Sequence, residues 1–144
     1  MKLHRCVSLL MIGMLSSVAL AEANAEPGAE EAPSDATSAG MTNSQRNAVR
    51  SAEDYLSMKG FSRFALIQQL SSDYGAGFSK KDATVAVDSL GIDWNANAAR
   101  SAREYLDIKG FSCNGLIAQL SSEYGAGYTK AQAQYGAKQS GACN

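Results

Sequence analysis

Apolar residues recur at helical spacing along three successive segments of the chain, and each segment carries them as a stripe along one side. In the first segment the apolar positions fall at i, i+4, i+7 and i+8, which is the spacing of an amphipathic helix. The three stripes consist of Ala48, Ala52, Tyr55 and Leu56, of Leu66, Ile67, Leu70 and Tyr74, and of Ala83, Ala86, Val87 and Leu90. The pattern predicts three short helices, the first of them over residues 43–58.

Capping residues stand where these helices should begin and end. Thr42, with Gln45 three residues later, has the pattern of a capping box, and Ser62 and Ser79 can cap the second and third helices. Gly60 suits the left-handed position that often ends a helix. Short helices joined by short turns that contain glycine are typical of a helix-turn-helix unit.

The whole pattern returns 50 residues further along the chain. Residues 59–80 read KGFSRFALIQQLSSDYGAGFSK, and residues 109–130 read KGFSCNGLIAQLSSEYGAGYTK. Self-similarity at a fixed offset indicates that one unit has been copied. We therefore predict an all-α fold of two tandem three-helix repeats, at 43–93 and 94–144. The linker between them is only about three residues long, so we expect Trp94 to pack at the junction and to fix the orientation of the repeats.

The first 42 residues have the composition of targeting and spacer segments. Residues 1–25 combine a basic start, an apolar stretch and small residues at the end, which predicts a signal peptide cleaved after Ala25 or Ala21. The apolar stretch is too short, and too diluted by serine and glycine, for a membrane span. Residues 26–42 contain no aromatic residue and predict a disordered spacer. We expect an exported protein without an integral membrane span in the mature chain.

The composition excludes several kinds of chemistry. The single histidine, His4, lies in the predicted signal peptide, which leaves no Ser-His or Cys-His pair and no histidine for a zinc site. The adjacent acids Glu53 and Asp54 do not recur as a pair in the second repeat. The YGAG segments lack the residues that complete a phosphate loop, and we interpret their glycines as a helix stop and a turn. We predict no enzyme, no cofactor and no metal site.

Charge argues against nucleic acid as a partner. From residue 41 onward the chain has 11 basic and 9 acidic residues, a net charge of +2. A nucleic-acid-binding domain of this size usually has a much larger positive excess. A nucleic-acid-binding helix-turn-helix protein is therefore the least favoured of the function classes.

The cysteines predict one disulfide bond. Cys6 falls in the signal peptide, which leaves Cys113 and Cys143 in the exported chain, where paired cysteines usually form a bridge. An offset of 50 maps these two positions onto Arg63 and Asp93, which carry opposite charges. We predict a disulfide between Cys113 and Cys143, and an ion pair between Arg63 and Asp93 as its counterpart in the first repeat.

The last helix of the second repeat is expected to be weak. Gly136, Ala137 and Ser140 replace the larger residues of the third stripe. The glycine costs about 1 kcal/mol against alanine, and the lost apolar groups remove roughly 2 to 4 kcal/mol of burial. A disulfide that closes a loop of about 30 residues contributes roughly 3 to 4 kcal/mol, so the predicted bridge can compensate.

The tyrosines recur with the repeat. Tyr55 and Tyr74 correspond to Tyr105 and Tyr124, and their helical spacing predicts core or staple roles. A surface recognition patch that includes some of these tyrosines is the alternative.

At the level of motifs, the chain resembles the Ltp-type family of host cell surface-exposed lipoproteins, which consist of tandem helix-turn-helix repeats. The resemblance covers roughly residue 44 to the C terminus. It rests on spaced positions of the first repeat that recur in part in the second: Tyr55-Leu56, Phe61-Ser62, Gln69-Leu70, Tyr74-Gly75, Phe78-Ser79, Ala83, Ala86-Val87-Asp88 and Asp93-Trp94.

The resemblance implies a non-enzymatic protein displayed outside the cytoplasm, and in some family members a role in superinfection exclusion by blocking the passage of phage DNA. This chain lacks a lipid-attachment cysteine after its apolar stretch. We predict an exported protein-binding module, secreted or associated with the cell envelope, whose partner is an envelope protein or a phage component. The alternative is a secreted, cell-wall-associated structural module.

Overall fold

Each of the two repeats folds into three helices in the same order. In the computed structural model the described residues run from Gly40 to Cys143, and among them there is no strand. The helices are α1 (Asn43–Met58), α2 (Arg63–Ser71), α3 (Lys80–Ser89), α4 (Trp94–Ile108), α5 (Cys113–Ser121) and α6 (Lys130–Gln139). The structure confirms the predicted all-α fold.

Two of the predictions for the start of the chain fall outside the described range. The signal peptide at 1–25 and nearly all of the spacer at 26–42 lie before Gly40. Between residues 40 and 143, every helix is too short or too polar to cross a membrane.

The capping residues act as their spacing predicts. The side chain of Thr42 accepts from the amide of Gln45, and Gln45 returns a bond to the amide of Thr42, so α1 begins with a complete capping box. Ser62 and Ser79 accept from the third amide of α2 and α3. These bonds satisfy main-chain donors that would otherwise lack an acceptor at the helix starts.

Each repeat has its own apolar core, formed where its three helices meet. The first core consists of Ala52, Phe61, Leu66, Ile67, Leu70, Ala83 and Val87. The second core consists of Ala98, Ala102, Leu116, Leu120, Tyr128, Ala133 and Ala137. Both repeats belong to one compact unit of the chain. Trp94, the first residue of α4, is half-buried and packs against the first core, so the start of the second repeat touches the interior of the first.

The last helix of the second repeat packs more closely than its sequence suggested. Gly136 is buried, and a Cβ at this position would lie 2.5 Å from the carbonyl oxygen of Ala98 in α4. The absence of a side chain therefore lets α6 approach α4 closely. Ala142 and Cys143 also pack against the second core, so the chain beyond α6 adds apolar contact.

The disulfide prediction is confirmed. Cys113 begins α5, and Cys143 lies just beyond α6, so the bridge joins the start of one helix to the end of the next. The Cα atoms of the two residues are 4.8 Å apart.

The predicted ion pair between Arg63 and Asp93 is wrong. Arg63 at the start of α2 instead pairs with Asp88 near the end of α3, with Nε 2.6 Å from Oδ1. Asp93 is not available to pair with Arg63, because its carboxylate accepts from the amides of Asn95 and Ala96 and so caps α4. The hydrogen bond from Arg63 lowers the pKa of Asp88 below its ordinary value, although partial desolvation opposes this.

The interpretation of Gly60 is also wrong. The glycines with positive φ among the described residues are Gly40, Gly77, Gly91, Gly127 and Gly141. Helix α1 ends at Met58, and Lys59 after it is extended. Glycine is needed at position 60 for a different reason, which concerns the neighbouring repeat.

Candidate functional site: the cleft between the repeats

An arginine of the second repeat caps the first helix of the first repeat. Arg100, in the second turn of α4, donates from Nη1 to the carbonyl of Leu56 at 2.6 Å and from Nη2 to the carbonyl of Ser57 at 3.1 Å. These carbonyls belong to the last turn of α1, where no amide within the helix can reach them. A positive charge is favourable at this end of a helix.

A carboxylate of the second repeat binds the residue that follows α1. The amide of Gly60 donates to both oxygens of Glu104, at 3.1 Å each, and Oε1 also accepts from Nε of Arg100 at 3.0 Å. A Cβ at position 60 would lie 2.9 Å from the amide nitrogen of Ser101 and 3.0 Å from the carbonyl oxygen of Asn97. Glycine is therefore required here because α4 lies so close.

Ser101, which lies against Gly60, also pairs with Tyr128 of the second core. Their hydroxyls lie 2.9 Å apart, and both residues are 3 % exposed. Burial raises the pKa of Tyr128 above its ordinary value, and the hydrogen bond with Ser101 opposes this only in part. The phenol is thus a neutral group within the core of the second repeat.

A second point of contact joins α2 to the turn between α5 and α6. A Cβ on Gly127 would lie 2.7 Å from Cδ1 of Phe64 and 3.3 Å from Oγ of Ser62. Ser62, which caps α2, is 1 % exposed. The two repeats therefore touch here as well as at Gly60 and at Trp94.

Between these contacts lies a cleft of about 440 Å³ that opens to solvent. Met58 and Ile108 stand at its rim, where they are 66 % and 79 % exposed, and they occupy equivalent positions at the ends of α1 and α4. The lining comes from both repeats: Met58, Lys59, Gly60, Phe61, Ala65, Ser101, Glu104, Tyr105, Ile108, Gly125 and Ala126.

The chemistry of the cleft suits binding. Glu104 and Ser101 are already occupied by hydrogen bonds within the protein, and most other lining groups are apolar. Within residues 40–143 there is also no group of three or more His, Cys, Asp and Glu side chains that could hold a metal ion. A half-open, largely apolar cleft of this size can receive an apolar side chain of a partner molecule.

Two tyrosines at equivalent positions stand fully in solvent. Tyr74 and Tyr124 are each completely exposed, which overturns the prediction that they belong to the core. Helix α2 ends at Ser71, because the amides of Ala76 and Phe78 donate back to carbonyls in its last turn. Tyr74 therefore lies beyond the helix and outside its apolar stripe. Tyr55 and Tyr105 do pack against the two cores, as predicted.

Comparison with known families identifies the chain. The sequence model described as host cell surface-exposed lipoprotein (Ltp) matches residues 43–90 and again residues 93–139. The two matches together span more than half of the chain. The chain belongs to the host cell surface-exposed lipoprotein family.

A solved structure supports membership of this family. The chain is similar to Ltp, a superinfection exclusion protein from the Streptococcus thermophilus temperate phage TP-J34, with a TM-score of 0.61 and 30 % sequence identity. The likeness covers 68 % of this chain and 96 % of that one. Among curated proteins, none matches the chain.

The junction of this Ltp-family protein includes residues that sequence reasoning missed. Arg100, Ser101 and Glu104 are polar residues of α4, and hydrophobic patterning gives no signal for residues of this kind. The sequence does contain one signal for these residues, which is that the Arg-Ser dipeptide occurs at the same position in both repeats, as Arg50-Ser51 and Arg100-Ser101. The short linker predicts Trp94 near the junction, but nothing in the sequence predicts the cleft between the repeats.

Proposed function

We propose that the protein is an exported, non-enzymatic binding protein that acts in superinfection exclusion at the cell envelope. In this proposal it binds a protein component of an infecting phage and blocks the passage of phage DNA into the cell. The observation that carries the proposal is the likeness to a superinfection exclusion protein, which extends over 96 % of that protein's chain.

The cleft between the repeats supports binding as the means of action. It brings apolar groups of both repeats to a solvent-exposed opening, and its polar groups already have partners. Exposed apolar residues around a concave surface are typical of protein-binding sites. The disulfide supports export, because such bonds persist in oxidising compartments.

Infection of cells that produce the protein tests this proposal. Cells with and without the protein are challenged with a panel of phages, and adsorption and the arrival of phage DNA inside the cell are measured separately. We expect unchanged adsorption and reduced arrival of DNA for at least one phage. Reduced adsorption contradicts the proposed mechanism. Unchanged infection by every phage contradicts the function and favours a structural module of the cell wall.

The cleft is tested in the same cells with a matched pair of variants. Ile108→Lys places a charge at the rim of the cleft, on the last residue of α4. Gln139→Lys places the same charge on the last residue of α6, outside the cleft. Both residues are exposed, so both variants should fold normally. We expect Ile108→Lys to weaken exclusion and Gln139→Lys to preserve it. Equal exclusion by the two variants contradicts a role for the cleft.

A further inference from the structure

The contact between the repeats uses two different surfaces. The second repeat contributes a surface that we call the inner head, made of Arg100, Ser101, Glu104 and Gly127. The first repeat contributes a surface that we call the inner tail, made of Leu56, Ser57, Gly60 and Ser62. A head and a tail are therefore complementary surfaces, and each repeat of a tandem duplication carries a version of both.

The first repeat carries a second head that no other repeat of the chain covers. This outer head consists of Arg50, Ser51, Asp54 and Gly77, which are the residues at the positions equivalent to the inner head. The arginine, serine and glycine are unchanged, and a shorter carboxylate replaces the longer one. Arg50 and Asp54 are exposed, whereas Arg100 and Glu104 are half-buried. A Cβ on Gly77 would have nothing within 4 Å, in contrast to Gly127.

The second repeat likewise carries a second tail. This outer tail consists of Leu106, Asp107, Gly110 and Ser112, at the positions equivalent to the inner tail. Gly110 and Ser112 are exposed, whereas Gly60 is half-buried and Ser62 is buried. A Cβ on Gly110 would have nothing within 4 Å. Between residues 40 and 143, no side chain donates to the carbonyls of Leu106 or Asp107.

We propose that copies of this chain associate head to tail, so that the outer head of one copy binds the outer tail of the next. The contact repeats between molecules the one that joins the two repeats within a molecule. Arg50 of one copy would cap the end of α4 in its neighbour, and Asp54 would accept from the amide of Gly110. Because the two surfaces differ, the contact leaves one head and one tail open and can add further copies.

Differences between the inner and outer surfaces predict that this association is weak. Beside the outer tail, Asn114 replaces Phe64, the residue that contacts Gly127 in the inner contact. Beside the outer head, Phe78 replaces Tyr128 and lacks the hydroxyl that binds Ser101. The three-residue linker that holds the inner surfaces together is also missing between molecules. We therefore expect association at protein concentrations of roughly 0.1 mM and above.

Sedimentation velocity of the exported chain tests this proposal independently of any phage. The average sedimentation coefficient should rise with concentration from 10 µM to about 1 mM and pass the value of a dimer. Arg50→Ala removes the capping side chain of the head, and Gly110→Ala places a methyl group on the tail where the inner contact has no room. Each change should weaken association roughly tenfold.

A mixture of the two variants gives the sharpest result. Arg50→Ala retains an intact tail and Gly110→Ala retains an intact head, so together they should form one dimer and nothing larger. Lys138→Ala, which removes the same charge from an exposed site on α6, is the control and should associate like the parent chain. Thermal unfolding at low concentration confirms that each variant is folded.

Several outcomes overturn the proposal. A sedimentation coefficient of the parent chain that stays constant up to about 1 mM contradicts association. A dimer that is insensitive to both substitutions shows that copies meet through another surface. Failure of the mixed variants to form a dimer shows that the two faces do not bind each other.

Discussion

The amide of Gly60 donates to both carboxylate oxygens of Glu104, and this pair joins the end of α1 to the middle of α4. The hydrogen bonds run between residues 44 positions apart in the chain. Together with Arg100, which caps the same end of α1, they hold one wall of the cleft against the other. The shape of the candidate site therefore depends on a polar junction.

The junction predicts a large difference between two equivalent glycine substitutions. Gly60→Ala forces a methyl group against the main chain of α4, so we expect the free energy of unfolding to fall by about 1 to 3 kcal/mol. Gly110→Ala meets open space and should change it by less than about 0.5 kcal/mol. Denaturant unfolding below 10 µM measures both. Equal effects of the two substitutions would contradict the close approach at Gly60.

The disulfide of the second repeat and the Arg63–Asp88 ion pair of the first repeat should contribute unequally to stability. Replacing Cys113 and Cys143 by serine opens a loop of 30 residues and should lower the free energy of unfolding by about 3 to 4 kcal/mol. Replacing Arg63 and Asp88 by alanine removes a pair whose side chains are nearly half exposed, so the loss should not exceed about 1 kcal/mol.

Chemical denaturation of the two double variants at neutral pH measures this difference. The parent chain under reducing conditions provides a further control, because it should lose as much stability as the cysteine variant. A loss of similar size in both double variants would show that the bridge does not stabilise the second repeat more than the ion pair stabilises the first.

The buried phenol of Tyr128 predicts a loss of stability in alkali. Its pKa is raised in the folded protein, so its contribution is fully present below about pH 10, the ordinary pKa of tyrosine, and declines above it. We expect the free energy of unfolding to fall by about 1 kcal/mol per pH unit above pH 10. Tyr128→Phe should reduce this slope, whereas Tyr124→Phe, at an exposed site, should preserve it. Identical slopes in the two variants would contradict this assignment.

The exposed tyrosines predict a change in function without a change in stability. Replacing Tyr74 and Tyr124 by alanine removes two large aromatic side chains that have no buried surface, so stability should change by less than about 0.5 kcal/mol. Aromatic side chains held in solvent often act as anchors for a partner, and we expect weaker phage exclusion. Tyr135→Ala is the control, because Tyr135 is exposed but has no tyrosine at the equivalent position. Unaltered exclusion by the double variant would remove these tyrosines from the binding surface.

Much of the fold follows from local sequence, because its signals are local. Capping residues such as Thr42 and Ser62 act on amides three residues away, and the apolar stripes directly specify which side of each helix is buried. The disulfide was also predictable, since Cys113 and Cys143 are the two cysteines left after the predicted signal peptide, and paired cysteines of an exported chain usually form a bridge.

The junction could not be predicted in the same way. Gly60 has the sequence context of a helix stop, and only the position of α4 shows that it permits a close approach. Asp93 and Asp88 are both acids near the end of α3, and the choice between them depends on which one must cap α4. Long-range geometry of this kind leaves no periodic signal in the sequence.

Amide hydrogen exchange at Gly60 and Gly110 tests the central claim, that a polar junction joins the repeats and shapes the cleft. The two glycines have the same local sequence, and only Gly60 has an acceptor across the junction in the described part of the chain. In dilute protein, the amide of Gly60 should exchange roughly tenfold or more slowly than that of Gly110, and Glu104→Ala should abolish the difference. Equal exchange rates in the parent chain would contradict the account.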